Sequence, residues 1–272
     1  MEYTVAYQKN IINGIAYYSS PLLRSFGVIN AFPERHGGVS RGFYASLNLS
    51  TSTGDDPENI KENTLRYLHA FSSEPSAAVK SHQVHKDHIC FVNRAENGGD
   101  GLLRENIPCD GLMTDDPGLT LLASSADCPL ILLFAPDRRI AAAIHAGWRG
   151  TSLDIAGKAV SMLIEQGADP SKVVAFLPPA IGPCCFETDP DVPTAMEENF
   201  SGELADYIKE IAPARYRVDL QGINAHALHR RGMLPENIQV APICTCCHDD
   251  FYSHRRSKTQ RGLSAALIRI AL

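Results

Sequence analysis

Three short segments of the sequence carry the residue types that hold transition metals in proteins. They are residues 81–85 (SHQVH), 125–129 (SADCP) and 144–151 (IHAGWRGT). His85, Cys128 and His145 together supply two imidazoles and one thiolate, a coherent tripod for zinc. Three protein ligands leave a fourth coordination position for water or substrate, as catalytic zinc sites do. Zinc in such a site lowers the pKa of bound water or polarises a substrate heteroatom.

The same segments fit two other interpretations. In a serine or cysteine hydrolase, Cys128 would be the nucleophile and one of the histidines its base. In a purely structural interpretation, Cys128 is a small core residue, and Asp127 and Pro129 only shape a turn. Residue types at long separations do not choose among these, so the elements that position the segments matter.

Hydrophobic patterning predicts those elements. Short apolar runs between turn residues predict buried strands at 119–123, 130–134 and 140–144, with others at 88–92, 173–177, 238–243 and 263–270. Capping residues and apolar stripes predict helices from Asp56-Pro57 to about Phe71, from near Thr151 to Gly167 with Asp154 in a capping box, and from Asp219 to Gly232.

Strands mixed with helices, without strict alternation, predict an α+β fold with mixed sheets and flanking helices. No linker or repeat divides the sequence, so we expect a single domain over residues 1–272. Cys128 and His145 then belong to neighbouring strand-like runs joined by a hairpin-like connection. His85 must arrive from a separate strand.

The composition is that of an average globular protein, with 272 residues, 44% hydrophobic and 21% charged. It excludes a disordered chain, a collagen-like fibre and a coiled coil. No run approaches the roughly 18 apolar residues of a membrane span, and the first residues do not resemble a signal peptide. A net charge of −6 disfavours a non-specific nucleic-acid binder. We therefore expect a cytoplasmic protein.

The eight cysteines do not form an obvious disulfide framework. Cys184-Cys185 and Cys246-Cys247 are adjacent pairs, which bridge only with strain, so a reducing compartment is expected. Residues 244–248 (CTCCH) match no closed zinc pattern, and residues 181–186 (IGPCCF) are equally weak. We expect buried, reduced thiols there rather than a second metal site.

Arginines are the next candidates, because a planar guanidinium suits phosphate and carboxylate oxygens. Arg35 lies in a glycine-containing loop, and Arg149 stands at the mouth of a predicted helix beside His145. A helix start offers free N–H groups and a positive dipole end to an anion. Arg255 and Arg256 form a further pair near the C-terminus.

Several motifs, taken in chain order, resemble those of the laccase-domain family. They are RHGGVS at 35–40, SLNL at 46–49, QVH at 83–85, ADCP at 126–129, HAGWRG at 145–150, AIGPCC at 180–185, CT at 244–245 and FYSHRR at 251–256. The resemblance covers about residues 25–263. Two positions depart from it: Lys86 stands where glycine is common, and Thr259-Gln260-Arg261 replaces a usual Gly-Arg pair. No role is therefore transferred to Arg261.

Members of that family were labelled polyphenol or multicopper oxidases and are now described as purine nucleoside phosphorylases of the YfiH type. The resemblance implies phosphorolysis of adenosine, inosine, guanosine and methylthioadenosine, and deamination of adenosine. It implies zinc, with copper as the alternative, on the ligands His85, Cys128 and His145. The residues expected to contact substrate are Arg35, Asn48, Arg149 and Arg255. The expected partners are purine nucleosides and phosphate, and neither nucleic acid nor a membrane.

Two alternative functions remain at this point. A copper-dependent polyphenol oxidase would need histidines for several coppers, whereas the tripod suffices for one metal. A non-catalytic, zinc-stabilised interaction protein would need a fourth protein ligand, for which His82 is the candidate.

Overall fold

Two large mixed sheets form the frame of the computed structural model, which describes residues 2–94 and 107–272. In chain order the strands are β1 (Thr4–Val5), β2 (Gln8–Ile12), β3 (Ile15–Ser19), β4 (Val28–Pro33), β5 (Ala78–Lys80), β6 (Ile89–Phe91), β7 (Gly111–Thr114), β8 (Thr120–Ser125), β9 (Leu130–Ala135), β10 (Ile140–His145), β11 (Val174–Leu177), β12 (Glu187–Thr188), β13 (Ile208–Ala212), β14 (Arg215–Val218), β15 (Ile238–Val240) and β16 (Ser264–Ile270). The helices of the described residues are α1 (Pro21–Ser25), α2 (Pro57–Ala70), α3 (Trp148–Ser152), α4 (Ile155–Glu165), α5 (Asp191–Phe200), α6 (Leu220–Arg230) and α7 (His254–Ser257).

The larger sheet has seven strands in the order β1-β15-β11-β9-β10-β7-β6, and the second has six in the order β2-β3-β4-β16-β8-β5. A small third sheet has the order β12-β14-β13. Both large sheets combine parallel and antiparallel pairs, for example β11 with β15 and β10 with β9. The predicted α+β class with mixed sheets and flanking helices is confirmed.

The seven-stranded sheet lies between the helices and the six-stranded sheet. Successive side chains of a strand point to opposite faces, and β10 separates its residues accordingly. Ile140, Ala142 and Ile144 pack in a cluster with residues of α4 and α6. Ala141 and Ala143 pack with residues of β8 and β16. Because both of its faces are covered, β10 is buried throughout and holds its last residue, His145, rigidly.

Two of the three predicted helices are confirmed, with their caps. Asp56 accepts a hydrogen bond from the Glu58 amide at the start of α2, and Asp219 accepts one from the Gly222 amide at the start of α6. The prediction of one helix from near Thr151 is wrong. The chain forms α3 and α4 separately, because Asp154 adopts a left-handed φ of 57° and caps α4 through the Gly157 amide.

The seven predicted strands are present, and none of their ends is shifted by more than three residues. The largest shift is at β15, which ends at Val240 rather than at residue 243. The strands β1 to β5 and β7, the small sheet, and the helices α1, α5 and α7 were not predicted, because most of them are too short to show a period. None of the helices in the described ranges is both long and apolar enough to cross a membrane.

Candidate functional site

The two predicted histidines and Cys128 meet at one edge of the seven-stranded sheet. His145 ends β10 and pairs with Leu130 of β9, so the loop before β9 brings Cys128 beside it. His85 comes from the loop after β5 and has a positive φ of 57°. One ligand atom from each residue lies within 4.8 Å of the other two. The two imidazole rings are 4.9 Å apart and nearly perpendicular.

A buried carboxylate, Asp110, holds both histidines in place. His145 Nδ1 donates to Asp110 Oδ1 at 2.9 Å, and the amides of His85 and Lys86 donate to the same carboxylate at 2.9 and 2.8 Å. Because Nδ1 is committed to a carboxylate, Nε2 is the nitrogen of His145 that can bind a metal, once a metal replaces its proton. Asp110 was not among the predicted site residues, and the strand that follows it, β7, was not predicted either.

The site shifts the pKa values of Cys128 and His145 in opposite directions. Burial alone would raise the pKa of the Cys128 thiol, but hydrogen bonds from His145 and His85 outweigh burial and lower that pKa to about 6. Burial would lower the pKa of His145, yet its bonds to Asp110 and Cys128 raise it to about 9. Cys128 is therefore a thiolate at neutral pH, the form that binds metals or acts as a nucleophile.

The residues around the tripod fit a transition-metal ion. A β-carbon at Gly147 would lie 3.2 Å from Cys128 Sγ and 3.4 Å from His145 Nε2, so the glycine keeps the space beside both ligand atoms open. One thiolate and two imidazoles, one of them backed by a carboxylate, form a donor set suited to zinc or copper. His82, the candidate fourth ligand, lies in the adjoining wall and does not belong to the ligand group.

The tripod forms part of the wall of a cavity of about 700 Å³. That volume is in the range of small-molecule sites, about 300–1,000 Å³. Trp148, Ile181, Phe186 and Leu220 supply an apolar side, whereas Arg149, Arg255 and Arg261 supply positive charge. The cavity can therefore take a ligand with an apolar ring and an anionic group.

Comparison with known proteins places this arrangement in a family. The family described as multi-copper polyphenol oxidoreductase laccase matches residues 29–271. The chain belongs to this family. It is similar to the purine nucleoside phosphorylase YlmD of Geobacillus stearothermophilus, with 32% identity over 246 residues, 89% of this chain and 90% of that protein. It is also similar to the purine nucleoside phosphorylase of Bacteroides thetaiotaomicron, with 31% identity over 253 residues, 90% of this chain and 94% of that protein.

Solved structures of the laccase-like family share the fold. The crystal structure of YlmD from Geobacillus stearothermophilus superposes with a TM-score of 0.92 at 31% identity, and the superposition covers 99% of this chain and 100% of that chain. The crystal structure of the Bacillus licheniformis hypothetical protein YfiH gives a TM-score of 0.89 at 28% identity, covering 97% and 98% of the two chains.

In this laccase-like chain, the four predicted substrate contacts divide into two pairs. Arg149 is exposed in the cavity wall, with its guanidinium 4.3 Å over the Trp148 ring. Arg255 also lines the cavity, and its Nη1 donates to the carbonyls of Cys185 and Glu187, both at 2.9 Å. Arg149 and Arg255 therefore lie where they could contact a small molecule bound in the cavity beside the tripod.

The other two predicted contacts lie behind the wall. Arg35 Nε donates to the Ala45 carbonyl at 2.6 Å, and its guanidinium lies 4.7 Å over the Tyr252 ring. Asn48 is fully buried, donates to Thr53 Oγ1 at 2.8 Å and accepts from the Leu263 amide at 3.0 Å. Thr53 and Leu263 line the cavity, so Asn48 positions the wall. Direct substrate contact by Arg35 and Asn48 stays a prediction.

Arg261, to which no role was transferred, lines the cavity near the tripod. Its Nε is buried and has no hydrogen-bond partner among the described residues. Burial lowers the pKa of this guanidinium, while the charges of Asp127 and Cys128 act in the opposite direction. In the sequence, Arg261 was only an arginine in a segment that departs from the family pattern. Its position in the cavity wall follows from the fold.

Asp127 links the cysteine loop to the C-terminal part of the cavity. It has a positive φ of 97°, and its carboxylate accepts from Thr245 Oγ1 at 2.7 Å, Ser253 Oγ at 3.0 Å and the Arg255 amide at 2.6 Å. Its own carbonyl accepts from the Ile181 amide at 2.8 Å. Asp127 therefore does more than shape a turn, because it fixes Cys128 relative to Arg255.

Proposed function

We propose that this chain is a zinc-dependent purine nucleoside phosphorylase. The observation that carries the proposal is the tripod of His85, Cys128 and His145 in the wall of a cavity lined by three arginines. The names of the relatives from Geobacillus stearothermophilus and Bacteroides thetaiotaomicron support the same activity. The substrates would be a purine nucleoside and inorganic phosphate.

The arginines provide the anion site that phosphorolysis needs. Arg261 brings a buried Nε–H that has no hydrogen-bond partner within the described part of the chain. A buried donor without an acceptor costs free energy, so an anion that accepts this hydrogen would be stabilised. Arg149 brings an exposed guanidinium from the first turn of α3. Arg255 is already committed through Nη1 to two carbonyls, so we assign it mainly to holding the wall and only its remaining N–H groups to the substrate.

The apolar side of the cavity would hold the purine. Aromatic rings offer stacking area to a planar base, and Trp148 and Phe186 are the two aromatic residues in the wall. Arg149 and Arg255 lie over those two rings at 4.3 and 5.2 Å. The base and the phosphate would therefore bind next to each other, which phosphorolysis requires.

In the reaction, a phosphate oxygen forms a bond to the anomeric carbon of the ribose as the bond from that carbon to the purine nitrogen breaks. The electron pair leaves with the base, which takes up a proton. Arg149 and Arg261 would hold the phosphate in line with the anomeric carbon. Zinc, when bound, supplies a Lewis acid for a substrate heteroatom. Asp110 keeps the proton on His145 Nδ1, so that Nε2 is the nitrogen that would bind the metal.

Adenosine deamination is a second candidate activity, favoured by the three-ligand metal site beside the cavity. In that reaction water adds at C6 of the purine, the amino group leaves as ammonia, and no phosphate is needed. A polyphenol oxidase with several coppers is disfavoured, because the only other group of metal-binding residues within 2–94 and 107–272 consists of four cysteines without histidine.

Product analysis with and without phosphate tests the proposal. Inosine should give hypoxanthine and ribose 1-phosphate, at a rate that rises with phosphate and saturates. Hypoxanthine formation that is indifferent to phosphate would make the protein a hydrolase and overturn the proposal. Adenosine converted only to inosine and ammonia would establish the second candidate in its place.

A further inference from the structure

A second cluster of metal-binding residues lies outside the tripod. Cys184 and Cys185 come from the loop after β11, and Cys244 and Cys247 from the loop after β15. The four sulfur atoms lie within 4.8 Å of one another, with 3.3 Å between Cys185 and Cys247 and 3.6 Å between Cys184 and Cys247. The sequence led us to expect buried thiols here, but Cys184 and Cys247 are exposed, since both loops lie at the surface.

The fold brings the two loops together. β11 and β15 are neighbouring parallel strands, so their carboxyl ends meet at one edge of the sheet. Beyond the strands the pairing continues, as the Ala180 amide donates to the Ile243 carbonyl and the Thr245 amide donates to the Ala180 carbonyl. A turn closed by the Cys247 amide and the Cys244 carbonyl at 3.2 Å then directs both thiols of that segment to the same side.

We propose that Cys184, Cys185, Cys244 and Cys247 bind one zinc ion as a closed structural site. Zinc bound to four thiolates is tetrahedral with Zn–S bonds of about 2.3 Å, which puts the sulfur atoms about 3.8 Å apart. The sulfur spacings of 3.3 and 3.6 Å, with all pairs within 4.8 Å, match that requirement. Each thiol releases its proton to solvent on binding, and no electron is transferred.

A disulfide explains the cluster less well than a metal. A disulfide joins two sulfur atoms at about 2.05 Å and would leave the other two thiols crowded against it. The Cys244-x-x-Cys247 spacing is a usual half of a zinc site, and the adjacent pair Cys184-Cys185 supplies the other half. Because the second half is not a C-x-x-C pair, the sequence pattern alone did not indicate the site.

The ion would hold one wall of the cavity. Ile181 and Phe186, on either side of the cysteine pair, line the cavity, and Arg255 donates to the Cys185 carbonyl. On the other loop, Thr245 donates to Asp127 beside Cys128. Four thiolates leave no coordination position for substrate, so the role is positional. The proposal is independent of the reaction and stands even if the protein is not a phosphorylase.

Metal content of the full chain, purified under reducing conditions without chelator, tests the site. Wild type should contain about two zinc ions per chain, and Cys247→Ser should lose about half of them. Cys128→Ala should lose the other half, and X-ray absorption of its remaining zinc should show sulfur ligands only, at about 2.3 Å. Cys246→Ser is the matched control, because it removes a neighbouring thiol outside the group and should keep both ions.

Alkylation of the wild-type protein gives a readout that does not depend on a variant folding. With Zn²⁺ present, peptides containing the four cysteines should resist iodoacetamide, and a chelator should remove that protection. Cys246 should react in both conditions. Three results would overturn the proposal: a single zinc that disappears in Cys128→Ala, a second zinc that persists when Cys185→Ser and Cys247→Ser are combined, or reactivity of the four thiols that the chelator does not change. Wild-type protein that holds zinc at the four cysteines but none at the tripod would count against the proposed function and leave this site intact.

Discussion

The tripod and the four-cysteine cluster both use strand ends of the seven-stranded sheet, with His85 added to the tripod from the loop after β5, yet they suit different tasks. His145 in the tripod is buried and backed by the Asp110 carboxylate, and the three ligands face a cavity of about 700 Å³. The cysteine cluster has four ligands of one kind, two of them exposed and one buried, and its group contains no carboxylate. The number of ligands and the groups behind them, rather than the position in the fold, separate a candidate catalytic site from a structural one.

Without metal, the two clusters also differ in the pKa values of their cysteines. In the tripod, imidazoles stabilise the Cys128 thiolate against the cost of burial. In the cysteine cluster, neighbouring thiols add to the effect of burial on Cys184 and raise its pKa to about 11. Against the effect of burial, backbone hydrogen bonds from Gly182 and Cys247 lower the pKa of Cys244 in the same cluster. A cationic partner is therefore built into the first site, whereas in the second only backbone amides and neighbouring thiols act on the cysteines.

Cys128→Ala should produce the largest difference between the two sites. Removing a direct ligand should abolish zinc binding at the tripod and reduce phosphorolysis by more than the roughly 10- to 100-fold that outer contacts of a metal site contribute. Zinc analysis and phosphorolysis rates on the same preparation would measure both losses. If Cys128 were instead a covalent nucleophile, activity would disappear with zinc retained.

Arg261→Ala should weaken the use of phosphate without removing metal. A charge-assisted contact is worth roughly 1.5–3 kcal/mol, or about 10- to 150-fold in the affected step. We expect the KM for phosphate to rise by that factor, while adenosine deamination changes little. Arg66→Ala, which removes an exposed arginine paired with Glu62, is the control. An equal loss in both reactions would mean that Arg261 supports the shared site rather than phosphate.

Asp110→Asn should reduce zinc affinity and activity by about 10- to 100-fold, since an amide holds the His145 tautomer less firmly than a carboxylate does. Zinc competition with a chromophoric chelator and kcat/KM would measure the two effects. Asp169→Asn removes an exposed carboxylate that caps the turn at Ser171 and should change neither value. Unchanged zinc affinity in Asp110→Asn would contradict the orienting role of the carboxylate.

The smallest effect concerns thiol reactivity in chelator-treated protein. Because the pKa of Cys128 is lowered to about 6, its alkylation should rise as the pH increases through about 6 and be near its plateau at neutral pH. Cys184, with a pKa raised to about 11, should stay slow until strongly alkaline pH. Mass spectrometry of each peptide over a pH series would measure the two profiles. Parallel profiles would break the distinction between the sites.

The sequence by itself determined much of the frame and the tripod. Buried strands at β8, β9 and β10 follow from continuous apolar runs, and the caps Asp56 and Asp219 follow from local hydrogen bonding that needs no distant partner. The grouping of Cys128 with His145 was also accessible, because one connection joins their strands. His85 could be added from residue type and from the resemblance.

Only the tertiary structure decided which groups stand behind and around those ligands. Asp110, Asp127 and Arg261 reach the site through contacts between segments that are far apart in sequence, and no local pattern encodes such contacts. The same reason hid the four-cysteine cluster, whose two halves meet because β11 and β15 are parallel neighbours. Packing also places Arg35 and Asn48 behind the cavity wall. The chemical type of a side chain predicts what it can bind, but only packing decides what it faces.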